Sequence, residues 1–168
     1  MVFKHPRENR HSSPRFVLQE TLSLEPTLPQ FYEKVMGVYF DDLDPYRILH
    51  NARYLLLFER TLGSFWEHLG LQQMQLEREL LHLVRANHIE YLHAVRGTGN
   101  VRMRVHVERL GTTSLTFGFR MMPLNEDIDH AVGSRTVVRV DSEHWKPTPW
   151  SDEFKALIQP WIVPNPRA

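Results

Sequence analysis

Residues 38–54, VYFDDLDPYRILHNARY, constrain this chain more than any other stretch, because they bring three carboxylates, a proline turn, a histidine and a helix start close together. Pro45 cannot donate a ladder hydrogen bond and biases Asp44 away from the helical region, so the strand before it must end here. Behind the loop, residues 52–69 predict the longest helix of the protein. At about 100° per residue, Leu55, Phe58, Leu62, Phe65, Trp66 and Leu69 fall on one face, with Arg60, Thr61, Ser64, Glu67 and His68 opposite. Leu56 and Leu57 lie on the otherwise polar side, which predicts a helix enclosed by protein over most of its circumference. Asn51 stands where an N-cap is wanted, and Gly70 where a helix is closed by glycine. An acidic loop delivered to such a helix start suits general-base or nucleophilic chemistry on a carbonyl, since the first turn offers unpaired N–H groups and the positive dipole end.

That helix needs a sheet. Residues 30–40 are rich in aromatic and β-branched side chains and read as a strand with both faces partly covered. After a short second helix expected over residues 72–80, period-2 segments follow: residues 81–92 imperfectly, then Val101, Met103, Val105 and Val107 alternating with Arg102, Arg104, His106 and Glu108. Leu115, Phe117, Phe119 and Met121 share one face of the next segment, and Thr136, Val138 and Val140 one face of the last. The connections at residues 97–100, 110–113 and 125–130 are short enough for antiparallel hairpins. Strand, long apolar helix, then about four antiparallel strands is an α+β order, a sheet wrapped round one central helix. Such a sheet has edges and a second face that need cover, so a homodimer is expected.

The ends divide the chain. Residues 1–30 hold Pro6, Pro14, Pro26 and Pro29 and are expected to be a loose arm, residues 31–150 the folded domain, and residues 151–168 a tail carrying a short helix capped by Ser151. Basic residues in the first fifteen positions are not followed by an apolar run, so no secretory signal is expected there. Twenty Lys and Arg balance twenty Asp and Glu, which removes the basic footprint expected of a nucleic-acid-binding domain. The absence of cysteine excludes a disulfide scaffold, a thiolate nucleophile and a cysteine zinc site. No apolar run approaches the roughly 18 residues that span a bilayer, so a cytoplasmic protein with no membrane span is expected.

The loop Asp42-Leu43-Asp44-Pro45-Tyr46-Arg47-Ile48-Leu49-His50-Asn51-Ala52-Arg53-Tyr54, followed by Phe58-Glu59-Arg60, resembles the D-x-D-x-x-G-[HIV]-V-x-[NYH]-x-x-Y pattern and F-E-R continuation of the hotdog-fold, 4-hydroxybenzoyl-CoA thioesterase-like acyl-CoA hydrolases. Arg109-Leu110-Gly111-Thr112-Thr113-Ser114 resembles a hairpin of the same group, and Ala131-Val132-Gly133 through Lys146-Pro147 its last strand and tail. The resemblance spans roughly residues 31–155. It implies a hotdog fold assembled as a homodimer or homotetramer, and hydrolysis of a thioester to free acid and CoA, with no cofactor beyond the CoA of the substrate. The catalytic carboxylate then falls at Asp44, as general base or nucleophile, and the oxyanion donor at the backbone N–H of Asn51.

Arg47 stands where the group has glycine, so either the loop has opened or Arg47 contacts the substrate. His50 is a structural histidine or a substrate-side group, and Tyr54 is placed with it on the substrate side. Glu59 is paired to an arginine, or holds water or substrate as the reserve carboxylate. Asp41 and Asp42 are expected to be turn residues with solvated charges. Arg102 and Arg104 are expected on a solvated strand face, with contact to CoA phosphates as the sharper reading. A carrier-protein thioester as substrate, or a non-catalytic acyl-CoA-binding protein on the same fold, are the alternatives that the resemblance leaves open.

Overall fold

A computed structural model describes residues 30–71 and 74–163. Five strands, β1 (Tyr32–Val38), β2 (His82–Tyr91), β3 (Gly99–Leu110), β4 (Ser114–Pro123) and β5 (Ala131–Arg139), form one antiparallel sheet in the order β1-β3-β4-β5-β2. Helix α1 (Asn51–His68) follows β1, and α2 (Asp152–Ile158) closes the described chain with a 3-10 turn at Gln159–Trp161. No helix of the described residues is long and apolar enough to cross a membrane.

The alternation read from the sequence sets the core. Tyr32 pairs with Val105, Val105 with Phe119, Phe119 with Gly133 and Gly133 with Ile89, so one row of core-facing positions crosses all five strands. Val101, Met103, Val105 and Val107 are buried on that face. Against it lies α1, with Phe58 stacked on Phe119 at 4.6 Å and Phe65 edge-on to Phe117 at 6.5 Å. Removing a ring such as Phe58 would cost about 3–5 kcal/mol. At one end Trp150 stacks on Phe154 at 4.6 Å, and Trp161 meets Phe65 at 4.9 Å, so α2 closes the core there.

Several expectations need correction. The buried stripe of α1 is Tyr54, Leu57, Phe58, Thr61, Leu62 and Phe65, while Leu55 and Trp66 are only partly buried. Thr61, expected on the polar face, is fully buried because its hydroxyl donates to the Leu57 carbonyl at 2.9 Å, which satisfies the one polar group it carries. The connection after β2 is no hairpin. β2 pairs with β5 and β3 with β1 and β4, so residues 92–98 carry the chain from the edge strand β2 past β5 and β4 to the interior strand β3. A short connection permits a hairpin but does not impose one; the ladders to β5 and β1 decide the pairing. β1 is covered on one face only, since Val35 is 54% exposed. In place of the expected second helix a 3-10 turn runs over Glu77–Leu80, with residues 72 and 73 outside the described set. The expected arm at residues 1–30 also lies outside it, Gln30 excepted, as do residues 164–168.

Candidate active site

The loop between β1 and α1 is built on Asp42, not merely punctuated by it. Asp42 is 3% exposed, its Oδ2 accepts from the Tyr39 N–H at 2.9 Å, and its carbonyl accepts from the His50 N–H at 2.9 Å. Arg53 brings Nε to 3.5 Å from Oδ1 and donates from Nη2 to the Asp41 carbonyl. The expectation of a solvated charge therefore fails for Asp42. A carboxylate that receives a backbone N–H and a guanidinium is compensated for leaving water. Asp41 is exposed, as expected.

Asp44 folds the next turn around its own side chain. Oδ1 accepts from the N–H groups of Tyr46 at 2.8 Å and Ile48 at 3.2 Å, while its carbonyl accepts from Arg47 N–H. No partner of Oδ2 occurs among the described residues. The turn places Arg47 at φ 60°, the left-handed region that glycine occupies without a Cβ clash. This gives the glycine of the resembling pattern its physical reason. Arg47 takes the left-handed conformation itself, and its carbonyl accepts from Gly97 N–H at 2.9 Å. A second tie, from Leu49 N–H to the Val95 carbonyl, fastens the loop to the segment after β2.

Helix α1 and its cap each begin one residue earlier than expected. His50, not Asn51, is the N-cap: its Nδ1 accepts from the Ala52 N–H at 3.2 Å, a bond that Asn51 Oδ1 shares at 2.9 Å. A side chain that can accept at the cap position displaces the asparagine that follows it into the first helical turn. Arg53 N–H is taken by the His50 carbonyl. The Asn51 N–H has no acceptor among the described residues, as the first turn of a helix allows.

These elements meet at a cavity of about 300 Å³. Asp44, His50, Asn51 and Tyr54, all singled out in the sequence, line it. Tyr54 is 4% exposed and crosses Tyr91 edge to face at 5.0 Å; burial raises its phenol pKa, against a hydrogen bond with the Val95 backbone that lowers it. Tyr91 and His93 complete the wall and were not anticipated. The Tyr91 hydroxyl donates to the Asn51 carbonyl at 3.2 Å. Tyr91 ends the edge strand β2 and His93 lies two residues beyond it, a place that no local pattern connects to the loop before α1.

The family model of the thioesterase-like superfamily matches residues 38–158, from the end of β1 to the end of α2. The chain belongs to that superfamily. Among curated proteins, the uncharacterized YsmA of Bacillus subtilis is 26% identical over 131 residues, 76% of this chain and 84% of YsmA. Among solved structures, a predicted thioesterase from Bacillus stearothermophilus superposes with a TM-score of 0.71 at 16% identity, covering 80% of this chain and 98% of that one. The hypothetical protein SAV2348 from Staphylococcus aureus, solved in complex with CoA, superposes with a TM-score of 0.71 at 15% identity over 83% of this chain and 89% of its own.

In this thioesterase-like chain the remaining candidates lie apart from the cavity. Glu59 is exposed and its Oε2 pairs at 2.9 Å with Nη1 of Arg135, which is itself buried. Arg135 also donates to Asn87 Oδ1 at 2.8 Å and covers the Phe58 ring at 5.0 Å, so Glu59 neutralises a cation held under the helix. Arg102 donates to the carbonyls of Pro123 and Glu126, and Arg104 pairs with Glu33 at 2.9 Å. A second cavity, of about 390 Å³, opens on the sheet face away from α1. His106 lies at its edge, 3% exposed, over Gly118, where a Cβ would stand 2.4 Å from the ring. Burial, with the charge of Arg120 adding to it, pushes its pKa down to about 4.

Proposed function

We propose that this protein is an acyl-CoA thioesterase in which Asp44 and the start of α1 act on one thioester carbonyl. The observation that carries the reading is their convergence: Asp44 Oδ2 and the Asn51 N–H, both unpaired among the described residues, belong to residues that line one cavity. Asp44 activates water or itself attacks the carbonyl carbon. The oxygen that becomes negative is received by the Asn51 N–H at the positive end of an 18-residue helix. His50 and Tyr54 complete the substrate side. Arg47 is exposed beside the cavity and offers a cation to the phosphates of CoA.

The CoA bound to the similarly folded SAV2348 supports CoA as the carrier. The assembly proposed is a cytoplasmic hotdog dimer or dimer of dimers, with the sheet wrapped round α1 as its central helix. β2 supports this, being a ten-residue edge strand with Leu83, Val84 and Tyr91 exposed, an open template for a second chain.

The test is thiol release from acyl-CoA substrates of graded chain length by the wild type and by Asp44→Asn. A fall in kcat of about 10²-fold or more is expected, the scale of general acid–base contributions. Undiminished turnover would remove Asp44 from the mechanism and direct attention to Glu59. Acyl-carrier-protein thioesters hydrolysed in preference to acyl-CoA would reassign the carrier, and tight binding of acyl-CoA without hydrolysis would identify a binding protein.

A further inference from the structure

His93 is held by a reciprocal clasp. Its Nδ1 lies 2.8 Å from the Asp129 carbonyl, while Nδ1 of His130 lies 3.1 Å from the His93 carbonyl. The N–H groups of Leu92 and His93 both donate to the His130 carbonyl, and His130 N–H donates to Met121. A carbonyl oxygen can only accept, so His93 Nδ1 must carry its proton. In the neutral ring the other nitrogen, Nε2, is then a bare lone pair. Because Nδ1 is committed to Asp129, Nε2 is the nitrogen that His93 has left to offer a ligand in the cavity it shares with Asp44.

We propose that His93 is a further catalytic residue of this site, the group that takes the proton of the hydrolytic water, so that of the two roles open to Asp44 it fills the first, activating that water by accepting its other O–H, and does not itself attack the carbonyl. The inference rests on the thioesterase reading of the Asp44 cavity. Water attacks the thioester carbonyl carbon, forming the C–O bond, as one of its protons passes to His93 Nε2 and Asp44 Oδ2 accepts its other O–H. The carbonyl electron pair moves to oxygen and is held by the Asn51 N–H. When the tetrahedral intermediate collapses the C–S bond breaks, its electron pair leaves on sulfur, and the imidazolium returns its proton to the thiolate. The Asp129 carbonyl remains bonded to Nδ1–H throughout and keeps the ring in place, as an orienting acceptor does for a catalytic imidazole.

The charged and titratable groups about His93 come from four segments. Asp44 and the N-cap His50 stand on the loop before α1, Tyr54 in its first turn, and Tyr91 at the end of β2. On the β4–β5 connection are His130 and the side chain of Asp129, the latter bound to Arg120 Nε at 2.7 Å. Asp44 is the carboxylate among the residues that line the cavity with His93.

The experiment compares thiol release from acyl-CoA by wild type, Asp44→Asn, His93→Gln and His93→Gly across pH 5–9, with circular dichroism to establish folding. Glutamine can still donate to the Asp129 carbonyl but offers no basic nitrogen, so it separates base from clasp. Expected are a fall in kcat of about 10²-fold or more in His93→Gln with KM little changed, and loss of the acid limb that imidazole protonation imposes on the wild-type profile. Partial recovery of His93→Gly by added imidazole is expected as well. A His93→Gln enzyme with wild-type kcat and pH profile, beside an inactive Asp44→Asn, would overturn the role of His93 alone. A wild type that releases no thiol would overturn the thioesterase reading and this inference together.

Discussion

His50 and His93 line the same cavity in opposite tautomers. His50 Nδ1 accepts from the Ala52 N–H and so is bare, which places the proton of the neutral ring on Nε2; His93 Nδ1 donates to the Asp129 carbonyl, which leaves Nε2 bare. One imidazole therefore offers a donor and the other an acceptor, and each choice is made by a backbone group behind the ring. Two histidines that look interchangeable in the sequence are distinguished only by these bonds.

The tautomer of His50 gives it two separable jobs. His50→Asn retains an N-cap acceptor, and its melting temperature is expected to stay near that of the wild type, whereas His50→Ala loses about 1 kcal/mol. If Nε2–H assists the Asn51 N–H at the oxyanion, both variants lower kcat about 10-fold, below the 10²–10³-fold of a principal oxyanion donor. Thermal melts beside steady-state kinetics separate cap from donor, and unchanged kcat in His50→Asn would confine His50 to the cap.

Arg47→Gly is expected to stabilise the protein. Glycine relieves a left-handed residue of a Cβ clash worth about 1–2 kcal/mol, against about 0.5–1 kcal/mol of greater chain entropy lost on folding. The net gain is about 0.5–1 kcal/mol, a rise in Tm of about 2–3 °C for a chain of this size. Chemical denaturation of the two proteins measures it. A less stable Arg47→Gly would mean that the arginine side chain makes stabilising contacts that outweigh its backbone conformation.

Acid should weaken the fold before the carboxylates titrate. His106 has a folded-state pKa of about 4, below the roughly 6.5 of an unfolded histidine, so between these values the unfolded chain binds more protons. Its contribution is fully present above about pH 6.5 and is lost as pH falls through 4. The loss is about 2 kcal/mol by pH 5 and about 3 kcal/mol in full. His82, lowered chiefly by burial, acts with the same sign. Melting curves at pH 7 and pH 5 should differ, and His106→Gln should narrow the difference. An equal pH dependence in wild type and variant would sink the assignment to His106.

Much of this architecture was readable from local pattern. Alternation at Val101, Met103, Val105 and Val107, and again from Leu115 to Met121, needs only the two-residue repeat of a strand, and all of those positions are buried on one sheet face. The break at Pro45 and the long helix after it follow from equally local rules. The helix stripe was legible less well, since Thr61 entered the core through a bond to the Leu57 carbonyl that composition does not reveal.

What lies behind the site was not local. Asp42 looked like Asp41 in sequence, and became buried because the fold supplied Tyr39 N–H and Arg53 to it. Glu59 looked available until Arg135, far along the chain, reached it from β5. The sequence by itself determined that an acidic turn would stand at the start of a long apolar helix beside antiparallel strands, because proline geometry and hydrophobic period act over neighbouring residues. Tertiary structure alone decided that Tyr91 and His93 would face that turn. β2 pairs with β5 rather than β3, so the chain must cross the sheet after Tyr91, and the ties from Leu49 to Val95 and from Gly97 to Arg47 bind that crossing to the loop before α1.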